Sequence, residues 1–188
     1  MYIEEMFERY RDWKLLRLFL QSPDQGFYTK EIARKTGIGS GTVNTFLRNI
    51  HKDNILTKEI TGNTHVYKLN NEQELTKHLK IVHILIEFEQ NKLTEHLLKT
   101  NNTILSIVLY GSHANGENDS KSDIDLLILL NEKKPVTTFL QYMEKKLKKT
   151  ITIQMVTLSE WHKLKEKDKI FYESILENHI VLYGSGLP

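Results

Sequence analysis

The stretch that decides the fold is Ile107–Leu130, "IVLYGSHANGENDSKSDIDLLILL". Two apolar runs flank a polar loop that contains Gly111 and Gly116 and ends in Asp123 and Asp125. Short apolar runs bounded by turn residues read as buried strands. Residues two apart in a strand share a face, so the spacing predicts that both carboxylates project together from one sheet edge. Two like charges held close are unfavourable unless a cation lies between them. Oxygen-only ligands suit a hard ion such as Mg2+, which binds one or two carboxylates and completes its shell with water and phosphate oxygens. The pair therefore points to metal-dependent phosphoryl chemistry. Gly111 and Ser112 follow directly on the first strand and would open a short helix, whose leading N–H groups can meet an anion. Gly116 permits the turn back toward the second strand. Phosphate and metal would then lie side by side.

Working outward, strand and helix alternate on the C-terminal side: "ILSIVLY", the Gly-Ser loop, "IDLLILL", a helix through "TTFLQYMEKKLKK", "ITIQMVTL", more helix from Ser159 to Glu177, and "HIVLYG". Alternation of this kind predicts a sheet covered by helices. On the N-terminal side, residues 71–100 lack glycine and proline. Leu75, Leu79, Val82, Leu85 or Ile86, Leu93 and Leu97 recur at helical spacing there, as one long helix or two consecutive ones. Such a helix can pack on its own domain or pair with a copy of itself as a homodimer.

The first 70 residues read as helix, helix, helix, hairpin. Met6, Tyr10, Trp13, Leu16 and Leu20 are spaced as one helix, which "SPDQG" stops. Thr29 and Ser40 are expected as N-caps of the next two helices, with Gly37 ending the first of them. "ILTKEI" and "HVYKL" joined around "TGNT" predict a hairpin. The third helix would expose Ser40, Thr42, Asn44, Thr45, Arg48 and Lys52, small polar groups with a basic end that can bond phosphates and base edges. Glu31 and Asp53 near that face oppose phosphate affinity.

Two resemblances follow from these residues. "YTKEIARKTGIGSGTVNTFLRNIHKDNIL", residues 28–56, resembles the winged-helix domains of transcription regulators, which implies double-stranded DNA as a partner and the hairpin as the wing. "GSHANGENDSKSDIDLLI", residues 111–128, resembles the signature of the DNA polymerase beta-type nucleotidyltransferase superfamily: Gly-Ser, ten residues, then Asp-x-Asp, with Ser122 before and Leu126 after. The spacing is similar to that of the minimal nucleotidyltransferases, including those that act as antitoxins to HEPN toxins. This resemblance implies that Asp123 and Asp125 are catalytic and hold two Mg2+ ions, and that Gly111 and Ser112 grip a nucleoside triphosphate. The reaction implied is in-line attack on the α-phosphate with pyrophosphate leaving. Lys121 beside the site would either neutralise phosphate charge or be solvated. The family carries a third carboxylate on a later strand. Here the matching place falls on Gln154, or on Thr152 if the register moves by two, and neither is a base. Glu160, Glu117 or Asp119 are the available substitutes. His113 would touch a phosphate or, as an exposed loop residue, do nothing.

The expectation is thus an α/β protein: a winged helix-turn-helix over residues 1–70, a helical linker over 71–102, and a small mixed-sheet nucleotidyltransferase domain over 103–188. A net charge of +2 identifies no partner, although residues 1–70 carry 11 Lys and Arg against 8 Asp and Glu. No cysteine is present, which excludes disulfides and thiolate chemistry, and the other histidines show no zinc-ligand spacing. With no apolar run of membrane-spanning length, a cytoplasmic location is the default. Three functions are open at this stage. The first is Mg2+-dependent transfer of a nucleoside monophosphate, AMP from ATP by preference, to a protein or small-molecule hydroxyl. The second is a nucleotide-sensing or catalytically degenerate DNA-binding regulator, and the third an antitoxin that modifies or covers a toxin.

Overall fold

The computed structural model describes residues 10–62, 64–133 and 138–188. Met6 of the first expected helix, Asn63 of the hairpin turn and Thr137 at the start of the "TTFLQ" helix lie outside the described residues. The chain divides into two compact units, Met1–Ile86 with Asn118–Ser120, and Glu87–Glu117 with Lys121–Pro188.

In the first unit, α1 (Arg11–Gln21), β1 (Phe27–Tyr28), α2 (Thr29–Thr36), α3 (Ser40–Lys52), β2 (Leu56–Thr61) and β3 (Thr64–Leu69) are followed by the start of α4 (Glu74–Gln90). The three strands form an antiparallel sheet in the order β1-β3-β2. α1 buries Leu15, Leu16, Phe19 and Leu20 along one stripe, and α3 buries Val43, Phe46 and Leu47 against it. The rings of Phe19 and Phe27 meet edge to face at 5.3 Å, which ties α1 to the sheet. Gly37 closes α2 in the left-handed region at φ 72°. The expected caps shift by one residue. Tyr28 and Gly39 are the N-cap residues, and neither helix receives a side-chain cap. The hydroxyl of Thr29 donates instead to Asn44 Oδ1 of α3 at 2.9 Å, a tertiary bond that competes with the local one. Asn118–Ser120 are fastened within this unit. The nearly buried Lys80 donates from Nζ to the Asn118 carbonyl at 2.9 Å, and the Ser120 N–H donates to Asp24 Oδ1 at 3.0 Å.

The glycine-free stretch resolves into two helices, α4 and α5 (Leu93–Thr100). They part at Lys92, which sits in the left-handed region at φ 51°. The buried face of α4 also differs from the periodic expectation: Ile84, Ile86 and Phe88 are buried, while Leu75 and Val82 are exposed.

The second unit continues with β4 (Ile104–Tyr110), α6 (Ser112–Asn115), β5 (Ile124–Leu130), α7 (Thr138–Leu147), β6 (Ile151–Thr157), α8 (Leu158–Lys167), α9 (Lys169–Glu177) and β7 (His179–Tyr183). The sheet order is β6-β5-β4-β7, with β5 and β6 parallel and the remaining pairs antiparallel. A parallel neighbour requires a crossover connection, and α7 lies in it. The helix expected over 159–177 is broken at Asp168, whose carboxylate caps α9 by accepting from the Phe171 N–H at 3.1 Å. β5 is central and buried on both faces. Leu127 and Leu129 face Val108, Val156, Trp161 and Ile175, all of them at most 6% exposed. Each such buried aliphatic side chain contributes about 1.5–3 kcal/mol of transfer free energy, so β5 is the packing centre of this unit.

Candidate active site

The site grows from the entry to β5. β4 ends at Tyr110, and Gly111 then adopts φ 70°, ψ −157°, a conformation essentially reserved for glycine. A Cβ placed there would stand 2.6 Å from Asp125 Oδ2, so the turn must be bare for the carboxylate to rest on it. Ser112 opens the one-turn helix α6, and Gly116 ends it in the left-handed region at φ 74°. The first N–H groups of any helix have no partner within it, and here that open end lies at Ser112, one residue beyond the glycine on which Asp125 rests.

Asp125 is the second residue of β5. It stands opposite Tyr110 of β4 and abreast of Thr152 of β6, on the face shared with Leu127 and Leu129. This is a half-buried carboxylate at the rim of an apolar face. Burial pushes its carboxyl above the usual carboxylate range, and the charge of Asp123 pushes the same way. The Tyr110 phenol is also raised, by burial first and by the Asp125 charge second. Its ring meets Phe171 edge to face at 5.9 Å. The energetic consequence is direct: ionised Asp125 is uncomfortable where it sits, and a cation would relieve it.

Asp123 differs from the expectation of two strand residues sharing a face, because β5 begins at Ile124 and Asp123 lies just before the ladder, exposed. Its surroundings are nevertheless ordered. The Asp123 carbonyl accepts from His113 Nδ1 at 2.9 Å, and the preceding Ser122 carbonyl accepts from Lys149 Nζ at 3.2 Å. The Ile124 N–H donates to the Thr150 carbonyl at 2.9 Å. His113 is therefore not an exposed loop residue. It is 2% exposed, turned inward on the single turn of α6. Lys149 was expected only as the end of the helix through "TTFLQYMEKKLKK", and it follows α7, which stops at Leu147.

The signature positions Gly111, Ser112, Ser122, Asp123 and Asp125 thus converge on one end of β5, with Ser112 and Ser122 half-buried and Lys121 exposed. On β6, Thr152 is the direct neighbour of Asp125, while Gln154 is the neighbour of Leu127. Gln154 lies one same-face step further along the strand, about 6–7 Å away from the level of the carboxylate. Both are exposed. Glu160 is not available as a substitute. It pairs with Lys133 at 2.7 Å and closes the capping box of α8 with Thr157, and these contacts, the first above all, hold its carboxyl down at about 2. Glu117 accepts from Asn115 Nδ2 at 3.0 Å, and Asp119 lies in the segment counted with the first unit. Among the described residues, no group of three or more His, Cys, Asp or Glu is arranged to hold a metal. Two carboxylates with oxygen-only chemistry still fit Mg2+, which needs one or two protein ligands and takes the rest from water and phosphate.

In the first unit, Ser40, Asn44, Thr45, Arg48 and Lys52 are exposed on α3 and Thr42 is half-buried. Asn44 is engaged by Thr29, and the Thr45 hydroxyl donates to the Gly41 carbonyl at 3.1 Å. Glu31 pairs with Lys35 at 3.4 Å, which partly offsets its charge beside that surface.

Residues 91–186 match the family described as Polymerase beta, Nucleotidyltransferase. No curated protein matches the chain. Among solved structures, a toxin-antitoxin with AMP-PNP is similar at 19% identity and a TM-score of 0.38, over 50% of this chain and 73% of that one. A mutant of the toxin-antitoxin MntA-HpeT is similar at 17% identity and a TM-score of 0.37, over 51% and 72% of the two chains. A protein from Sulfolobus solfataricus, described as a candidate nucleotidyltransferase, is similar at 15% identity and a TM-score of 0.35, over 58% and 88%. Among the described residues, no helix is long and apolar enough to cross a membrane.

Proposed function

The chain belongs to the polymerase beta nucleotidyltransferase family, and from that premise we propose that it transfers a nucleoside monophosphate from a triphosphate, ATP by preference, to a hydroxyl of a protein or small molecule. The observation that carries this reading is the seating of the Asp125 carboxylate on the bare Gly111 turn, which brings an anion-type turn and a cation-seeking carboxylate into contact. Gly111 and Ser112 would receive the triphosphate oxygens, with the exposed Lys121 drawing phosphate charge toward them. Asp123 and Asp125 would hold Mg2+, which when bound neutralises the triphosphate and steadies the α-phosphate for in-line displacement. Asp125, fixed by β4 on one side and β6 on the other, sets where that charge sits. Thr152, abreast of Asp125, can orient a hydroxyl or water but cannot take its proton at neutral pH. Rate then rests on positioning and charge neutralisation rather than on a carboxylate base.

The test is transfer of label from α-labelled ATP to an acceptor in the presence of Mg2+, with γ-labelled ATP as the control for phosphoryl transfer. Asp123→Asn and Asp125→Asn should abolish it. If the wild-type protein binds ATP with Mg2+ and labels no acceptor, the enzyme reading is lost and nucleotide sensing remains.

A second reading concerns the first unit. We read its order of helix, strand, two helices and hairpin as a winged helix-turn-helix that binds double-stranded DNA through Ser40, Asn44, Thr45, Arg48 and Lys52, with Thr42 at the margin. The exposed polar face of α3, basic at its C-terminal end, supports it. In a mobility shift with random duplexes at two salt concentrations, complexes should weaken at the higher salt, as phosphate-mediated contacts must. Unchanged mobility at low salt sinks this reading.

A further inference from the structure

The two aspartates are not held in place by the same means. Asp125 lies inside the ladder, paired with Tyr110 on one side and Thr152 on the other. Asp123 lies outside it, one residue before β5. It has no ladder partner of its own, and the peptide groups on both sides of its Cα are gripped. The preceding one is held at the Ser122 carbonyl by Lys149 Nζ at 3.2 Å. The following one is held at the Asp123 carbonyl by His113 Nδ1 at 2.9 Å, and at the Ile124 N–H by the Thr150 carbonyl at 2.9 Å. A carbonyl accepts and cannot donate, so Nδ1 of His113 carries the proton in this contact.

We propose that His113 and Lys149 are positioning residues that fix the backbone of Asp123, and with it the aim of its carboxylate. Asp123 is exposed and Ser122 half-buried, so water reaches this segment, and satisfying its carbonyls does not by itself call for two side chains from two other elements. His113 is almost wholly buried and comes from α6, the turn that begins at Ser112, while Lys149 comes from the approach to β6. The first contact ties Asp123 to the phosphate turn and the second to the strand beside Asp125. A site with two carboxylates has little tolerance for a misdirected one, and partners that orient metal-binding groups are worth about 10–100-fold in metal affinity. The inference rests on the reading of Asp123 and Asp125 as the cation-binding pair.

The experiment measures Mn2+ binding by electron paramagnetic resonance on the full chain with a nonhydrolysable ATP analogue, alongside urea unfolding and α-label transfer. His113→Ala and Lys149→Met should each weaken Mn2+ about tenfold or more. The rescue pattern is specific. The Asn side-chain amide N–H stands where Nδ1–H stood, whereas that of Gln reaches toward Nε2. His113→Asn should therefore recover most of the affinity and His113→Gln should not, while Lys149→Arg should recover it relative to Lys149→Met. A merely structural role would lower unfolding midpoints in proportion and treat Asn and Gln alike. Equal Mn2+ affinity in wild type, His113→Ala and Lys149→Met overturns the proposal, as does failure of Asn to outperform Gln. Wild-type protein that binds no Mn2+ overturns it too, whereas intact Mn2+ binding without label transfer overturns only the enzymatic reading.

Discussion

Replacing Gly111 with alanine tests the site at its tightest point. Two costs add. The backbone at φ 70°, ψ −157° is a region that non-glycine residues occupy at about 1–3 kcal/mol each. The new methyl would also stand 2.6 Å from Asp125 Oδ2, closer than Cβ contacts allow, and its neighbour is a carboxylate on a central strand rather than the loose end of a long side chain. Relief must come from displacement of Asp125, and displacement of about 1 Å in a reacting assembly costs on the order of 100-fold in rate. We therefore expect Gly111→Ala to lose about 2–4 kcal/mol of stability in the second unit and about 100-fold in label transfer, with weakened Mn2+ binding. Gly37→Ala is the control. It shares a positive φ of 72° but has nothing within 4 Å of the added methyl, so it should lose only about 1–2 kcal/mol in the first unit and keep transfer intact. Trp161 reports the second unit by fluorescence in a Trp13→Phe background, where it is the sole tryptophan. Wild-type midpoint and transfer in Gly111→Ala would refute the contact between turn and carboxylate on which the site reading depends.

The remaining expectations concern what surrounds that contact. Asp125→Asn should leave the metal-free protein as stable as wild type or more so at neutral pH, by less than about 1 kcal/mol given its partial exposure. The sign follows from a raised carboxyl: the folded state holds the proton more tightly, stability falls as pH rises through the raised value, and the amide removes that loss. Thermal melts with and without Mg2+ should show the variant losing the cation's stabilisation. Glu160 runs the other way. Its carboxyl is held at about 2 against an ordinary 4.5, so its contribution is complete above 4.5 and disappears as pH falls toward 2. Glu160→Gln should flatten that acid limb of the urea midpoint by less than about 1 kcal/mol, the group being exposed, and Thr157→Ala should cost about 1 kcal/mol through loss of the same cap. Trp161→Ala, fully buried beneath β5, should cost about 3–5 kcal/mol in urea unfolding and lower transfer only as far as it unfolds the second unit.

What could be read from the sequence was what short-range pattern encodes. β5 announces itself because seven consecutive residues are apolar except for one aspartate, and Gly111 because any other residue type takes the turn only under strain. Other features escaped for physical reasons. The break between α4 and α5 carries no glycine or proline: Lys92 takes the left-handed region at φ 51°, which its residue type does not announce. Thr29 has the chemistry of a cap but spends its hydroxyl on Asn44, fifteen positions away. His113 sits on a single helical turn, too short to show any period, so its burial left no trace in the hydrophobic pattern. The pairing of Asp125 with Thr152 is set by where the α7 crossover delivers β6, and strand pattern alone is blind to a slip of two residues.

The β6 register changes how the missing third carboxylate should be weighed. A third acid abreast of Asp125 would strengthen cation binding, but it would also add a like charge to a half-buried carboxylate already pushed upward by Asp123. With Thr152 in that place, the metal-free site carries less repulsion and the folded protein is correspondingly less strained. On our reading of the pair as a cation site, affinity must then come from orientation, because two ligands bind well only when neither has to be ordered at the moment of binding. Fixing the backbone of one residue costs about 1–2 kcal/mol, and on our proposal the contacts of His113 and Lys149 with the carbonyls beside Asp123, together with the Ile124 N–H bond to the Thr150 carbonyl, meet that cost during folding. On this proposal the chain exchanges charge for rigidity at its site. It follows that magnesium affinity in this protein should respond more steeply to His113→Ala than to changes in surface charge such as Lys121→Ala, an ordering that a site dominated by net charge would reverse.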